Sequence, residues 1–126
     1  MKPLVYKKAK RIRHAPPVRM KLHLTKGDTV QVISGDDKGK RGKILRVLPK
    51  AGRIVIDGVN MVKRHRRASQ TSEAGIVTFA APIHHSKAML IDPKSGEPTR
   101  IRRRKDKDGT LERIAVKSDL PIPRTR

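Results

Sequence analysis

The stretch Ser34 to Lys43, SGDDKGKRGK, sets three glycines and four cations around two aspartates within ten residues. Residues of these types can handle phosphate in two ways: as a loop that cradles a bound nucleotide, or as a turn that lies against a polynucleotide backbone. The first needs Gly, four residues, then Gly-Lys-Ser/Thr opening a helix. Counting from Gly35 reaches Lys40 and counting from Gly39 reaches Ile44, so the pattern fails. Gly-x-Gly-x-x-Gly fails too, because only Gly39 and Gly42 keep its spacing. The β-branched run Ile44 to Val47 that follows offers no helix N-terminus to a phosphate. The second use fits. Gly35, Gly39 and Gly42 supply positive-φ or close-approach positions between two strands, while Lys38, Lys40, Arg41 and Lys43 project from the turn. Asp36 and Asp37 then have two readings: turn formers bonded to nearby backbone N–H groups, or acceptors for base amino groups.

Two further runs carry the same chemistry. Met61 to Arg67 concentrates Lys63, Arg64, His65, Arg66 and Arg67 behind a strand-like segment, and Arg102, Arg103 and Arg104 follow Ile101, the member expected to face the core. In a chain this basic, such runs are better read as phosphate contacts than as solvated faces. Lys26, Arg46 and Asn60 complete the candidate RNA-binding set. Other chemistries find little support. His84 and His85 are adjacent, and neighbours in a strand point to opposite faces, which disfavours chelation of one ion. No cysteine nucleophile, carboxylate pair in an apolar setting or nucleophile-elbow serine is present, so the chain reads as a non-enzyme without cofactor or metal. Phe79 is expected in the core, with stacking on an unpaired base as its alternative.

The whole composition agrees. Thirty-two Lys and Arg against 11 Asp and Glu give a net charge of +21 on 126 residues, which calls for a polyanionic partner. With 35% apolar residues, one Phe, one Tyr and no Trp, only a small core is available. The absence of cysteine is compatible with a cytoplasmic location. No apolar run approaches the ~20 residues that span a bilayer, so no membrane role is expected.

The elements that must position these groups are short β runs. TVQVI, KILRVL, RIVI and VNMVKRH read as four strands of a small barrel or bent sheet, with a tight turn at Lys50, Ala51 and Gly52 after Pro49. After a polar linker from Ala68 to Glu73, GIVTFAAP, KAMLI, TRIRRR and LERIAV read as further strands, broken by turns at Asp92 to Gly96 and Lys107 to Gly109. No segment has a helical period. The expected organisation is an all-β protein: a basic N-terminal arm over 1–24, a barrel over 25–67, a C-terminal β region over 68–117, and a tail over 118–126. The arm has no acid before Asp28 and includes Pro3, Pro16 and Pro17, so it is expected to be mobile until nucleic acid orders it.

Gly27 to Gly35 with Lys38 to Ile44 resembles a KOW motif, an SH3-like module. The continuation Asp57 to His65, then Ala74 to Val77 and Lys87 to Gly96, is similar to the bacterial large-subunit ribosomal protein family uL twenty-four, over about Thr25 to Val116. That resemblance implies a structural constituent of the large subunit that binds its rRNA early in assembly, near the 5′ region, beside other large-subunit proteins and without homo-oligomers. It also implies a hairpin near the exit of the peptide tunnel, in reach of nascent peptide. Its tip is assigned to Pro49, Lys50, Ala51, Gly52 and Arg53. A KOW-type transcription elongation factor and a nonspecific nucleoid protein are the alternatives. The first normally carries an α/β domain ahead of the module; the second would bind duplex DNA as well as rRNA.

Overall fold

The structure, a computed structural model, describes residues 18–70 and 73–124. All its strands are antiparallel and fall into three sheets. The largest contains β1 (Thr29–Val32), β2 (Arg41–Leu48), β3 (Arg53–Ile56), β6 (Ile83–His84) and β7 (Ala88–Leu90), in the order β6-β3-β2-β1-β7. Two hairpins stand beside it, β4 (Met61–Arg66) with β5 (Gly75–Ala80) and β8 (Ile101–Lys105) with β9 (Leu111–Ala115).

The connection from β6 to β7 forces the large sheet to curl. These two strands are its opposite edges, yet only the 3-10 turn His85–Lys87 joins them. Four gaps of ~4.8 Å would separate the edges of a flat sheet by ~19 Å. Four Cα steps, even fully extended, reach only ~14 Å. The sheet therefore closes into a small barrel, as the SH3-like reading expects. Alternation fills it: Val30 and Val32 from β1, Ile44 from β2, Ile54 and Ile56 from β3, Ala88 and Leu90 from β7, with Leu24 and Val59, form one buried cluster. A β-bulge at Leu45 shifts the β2–β3 register between Ile44↔Ile56 and Arg46↔Val55, which bends β2 around that core.

The fourth expected barrel strand does not join the barrel. β4 pairs with β5 through a six-residue ladder from Met61↔Ala80 to Arg66↔Gly75, and β6 and β7 complete the barrel instead. Of the polar stretch Ala68 to Glu73, the described residues 68–70 and 73 fall between the two strands of that hairpin. Its strands are amphipathic at best, and the barrel edge they would need is already taken by β6 and β7. Phe79 is consequently not a core residue. It lies on β5, 38% exposed, opposite Val62. The histidine expectation also changes, because the strand ends at His84 and the chain turns into the 3-10 segment at His85. Their rings are brought to a centroid distance of 4.5 Å rather than to opposite faces.

Segments read as free ends enter the core at both termini. Leu24 is only 2% exposed within the barrel cluster, and the Met20 N–H donates to the Pro49 carbonyl at 3.0 Å. At the other end Ile122 packs on the cluster, and Ile101 does so as expected. The arm residues 1–17, with Lys2, Lys7, Lys8, Lys10, Arg11 and Arg13, lie outside the described residues.

Gly39 and Gly42 are needed for different reasons. Gly39 has φ +88° with open space where a Cβ would stand, whereas a Cβ on Gly42 would lie 2.5 Å from the Asp57 carbonyl oxygen and 2.6 Å from Ile56 Cγ2. Asparagine tolerates a left-handed backbone but not a clash with a neighbouring strand. Gly39→Asn is therefore expected to unfold in urea within ~1 kcal/mol of the parent, by the small left-handed cost for Asn. Gly42→Asn is expected to lose about 1–3 kcal/mol or more, as overpacked cores do. Equal losses would contradict this division.

Candidate nucleic-acid interface

The glycine-rich loop is built by its own backbone. Val32 N–H donates to the Lys40 carbonyl and Gly39 N–H to the Val32 carbonyl, so the chain closes on itself between β1 and β2. Within this closure the two aspartates part company. Asp37 accepts the Asn60 backbone N–H at 2.7 Å and the Lys40 ammonium at 2.5 Å. The hydrogen bond from Lys40, followed by that from Asn60, holds its carboxyl below the usual carboxylate range. Asp36 has no side-chain partner among the described residues and stands exposed. The local backbone bonds expected of the aspartates are not what holds Asp37: its local partner is the Lys40 side chain, and the backbone N–H it accepts lies 23 residues along the chain.

Asn60, one of the candidate RNA contacts, is thereby placed at a structural joint. It adopts φ +52° at the entrance to β4, and its Nδ2 donates to the Ala81 carbonyl at 3.3 Å while Ala81 N–H returns a bond to its own carbonyl. Asp37 and Asn60 together fix the loop to the root of the β4–β5 hairpin. Lys38, Lys40, Arg41 and Lys43 thus share one end of the molecule with the hairpin that carries Lys63 to Arg67. Lys40 is partly committed to Asp37, and Arg41 donates its Nε to Gln31.

Every residue of β4 is exposed. Alternation divides the basic run between two faces: Arg64 and Arg66 lie with Val62, Val77 and Phe79, while Lys63 and His65 lie with Thr78 and Ile76. Arg67 follows the strand, also exposed. The triple arginine of β8 divides likewise. Arg102 and Arg104 take the outer face, and Arg103 stands opposite Arg113 on the inner one. Arg104 reaches Glu112 only at 3.9 Å with both ends wet, which contributes little. Lys26 and Arg46 flank a shallow apolar cleft over Leu24, Leu45 and Val47, away from the loop.

The most constrained cation was not among the candidates. Arg113 of β9 is 1% exposed and forks onto Asp28, with Nη1 to Oδ2 at 2.6 Å and Nη2 to Oδ1 at 3.0 Å. The same nitrogens donate to the His23 carbonyl at 2.9 Å and the Pro123 carbonyl at 2.8 Å. Thr25 adds its N–H and hydroxyl to Asp28. In the sequence Arg113 is one cation of 32, and only the lone acid that ends the basic N-terminal stretch, Asp28, hinted at a partner.

A closed barrel with a glycine-punctuated basic loop between its first two strands is the KOW class of SH3-like modules. The KOW motif model matches residues 26–57, and the model described as large ribosomal subunit protein uL24, C-terminal domain, matches residues 59–122. Proteins named large ribosomal subunit protein uL24 from Bacillus thuringiensis, Bacillus cereus and Bacillus anthracis are each 53% identical over 98 residues, covering 77% of this chain and 94% of theirs. The chain belongs to the uL24 family of large ribosomal subunit proteins.

Two measurements check this construction. Removing one partner from the buried fork, by Asp28→Asn or Arg113→Met, is expected to cost about 3–5 kcal/mol in urea unfolding. Asp28→Leu with Arg113→Met should recover part of it, since no buried charge is then left unpaired, although the His23 and Pro123 carbonyls lose a donor and the Thr25 N–H and hydroxyl an acceptor. The second concerns His23 and His85, whose rings meet edge to face at 6.5 Å. Desolvation, then His85 and nearby arginines, lower the His23 value, and desolvation with His84 lowers that of His85. Folding therefore favours neutral rings. Their contribution is complete above the ordinary imidazole value of 6.5 and is lost as pH falls through the lower folded-state values. The urea midpoint should decline from pH 7.5 to 5, and His23→Gln with His85→Gln should flatten that decline.

Proposed function

We propose that this protein is a structural constituent of the large ribosomal subunit that binds the subunit's rRNA early in assembly, in the cytoplasm and beside other large-subunit proteins. The observation that carries the RNA contact is the Asp37–Asn60 joint. It ties the glycine-rich loop, with its cations, to the root of the hairpin that carries those of β4. Lys38, Lys43, Lys63, Arg64, His65, Arg66 and Arg67 are the phosphate contacts of that end, with Lys40 and Arg41 sharing their bonds with Asp37 and Gln31. Arg102, Arg103 and Arg104 extend the charge along β8, and Lys26 and Arg46 supply a separate contact.

A hairpin at the tunnel exit, in reach of nascent peptide, belongs to the same reading. Such a role requires an element that projects. The Pro49 to Arg53 turn fits poorly: Pro49 and Gly52 each give their carbonyl to another segment, Met20 and His85, and Gly52 is buried. The β4–β5 hairpin fits better. Its six paired positions extend ~20 Å at the usual rise, exposed along their length. The projecting role is therefore proposed for β4–β5 in place of the turn assigned by resemblance.

The test is binding to large-subunit rRNA across a salt series. With about 6–10 phosphates neutralised, log K is expected to fall with log[salt] at a slope of roughly −4 to −9. Ala substitution of Lys63, Arg64 and Arg66 should flatten the slope more than that of Lys40 and Arg41. A flat dependence, or equal affinity for duplex DNA, would overturn the reading in favour of neither rRNA nor specificity. On translating ribosomes, a cross-linker at Ser69 is expected to capture nascent chains, and one at Ala51 is not.

A further inference from the structure

A cleft of about 420 Å³ lies beside the glycine-rich loop, between Ser34 to Asp37 on one side and Pro82 to Lys87 on the other. Its lining is mostly polar; the apolar surface it offers comes from the half-buried Pro82 and Ile83, since Val32 and Val59 beneath are almost fully covered. Two cations, Arg53 and Lys87, line it together with the carboxylate of Asp36. The Lys87 ammonium reaches across to within 3.9 Å of where a Cβ on Gly35 would stand. The His84 ring at the wall is fixed, with Nδ1 held by the Ser86 hydroxyl at 2.8 Å and one face against His85.

The arrangement is unusual for a phosphate surface in one respect. Both oxygens of Asp37 are satisfied within the protein, whereas Asp36 is a carboxylate at a basic cleft with no bond to its own turn. A carboxylate in that position weakens attraction for phosphate, and it is compensated only when a hydrogen-bond donor meets it. We infer that the cleft takes one unstacked nucleotide of the bound RNA, its base lying against Pro82, Ile83 and the His84 ring, its exocyclic amino group donating to Asp36, and its phosphate held by Arg53 and Lys87. The inference rests on the RNA-binding reading above and adds base selectivity to it. Cytosine, adenine and guanine carry such an amino group and uracil does not; single-stranded RNA is commonly read through splayed bases of this kind.

Tetracytidylate and tetrauridylate carry the same charge and differ in that amino group, so they separate base recognition from phosphate attraction. With the full chain in amide-resolved NMR titrations, tetracytidylate is expected to shift residues 34–37, 53 and 83–87 and to bind about five- to tenfold more tightly than tetrauridylate. Asp36→Ala, an exposed change that leaves the fold intact and removes the acceptor, should abolish the preference. Arg53→Ala with Lys87→Ala should weaken both oligonucleotides and keep the preference. Equal affinities, or shifts confined to Lys40–Lys43 and β4, would overturn the assignment. Affinity for large-subunit rRNA, measured alongside, distinguishes the two failures: retained, only the cleft is misassigned; absent, the RNA-binding reading fails as well.

Discussion

One buried fork, Arg113 on Asp28, holds together parts of the chain that the barrel alone cannot. Asp28 sits at the entrance to β1, Arg113 in the middle of β9, and the two carbonyls on the same guanidinium come from His23 before the barrel and Pro123 near the end of the chain. Four segments thus converge on one planar group whose donor pattern is rigid. An apolar cluster could supply comparable energy, since a buried pair returns little net stability against its desolvation. It could not impose the same angle between the β8–β9 hairpin and the barrel. Asp92 repeats the device on a smaller scale: the Ser118 hydroxyl above all, then the Lys94 N–H and Ser95, hold its carboxyl below the usual range and tie the chain after β9 to the turn after β7.

Such polar joints suit a protein with so small a core. The buried cluster consists of nine side chains, none aromatic, and cannot also cover two hairpins. The β8–β9 hairpin is fastened by Ile101, packed on that cluster, and by the fork. Among the described residues the β4–β5 hairpin has side-chain and backbone bonds to the barrel side at its root, through Asn60, Asp37 and Ala81. A two-stranded ribbon without a packed face is marginal in water. Its exposed Met61, Ile76 and Phe79, among cations on both faces, are features that an RNA surface would cover and a free protein leaves wet.

Local pattern carried much of this into the sequence. Val30, Val32, Ile44, Ile54 and Ile56 keep the period of a half-buried strand, and the Lys-Ala-Gly turn announces its hairpin, so the barrel's first three strands were legible. The fate of β4 was not, because its pattern of valine and alternating cations satisfies either a barrel edge or a free ribbon. What decides is the six-residue ladder to β5 and the occupation of the edges by β6, two residues that barely register as a pattern, and by β7, which KAMLI announces as a strand without saying where it pairs. Long-range pairs were similarly hidden. Arg113 to Asp28 spans 85 positions and Asp37 to Asn60 spans 23, and nothing local distinguishes those residues from the other charges around them.

The same fact limits what net charge says about the interface. Among 32 cations, Arg113 is consumed by the core, and Lys40 and Lys117 are paired with Asp37 and Glu97. The cations of β4 have no acid opposite them, since β5 presents Gly, Ile, Val, Thr, Phe and Ala across the ladder. Charge without a local counter-ion is what releases condensed ions when phosphate arrives. A dense run of such cations, Lys63 to Arg67, therefore sits on the hairpin that the fold fastens least. Under the proposed role, a polyanion laid along β4 would supply the face that the small core cannot.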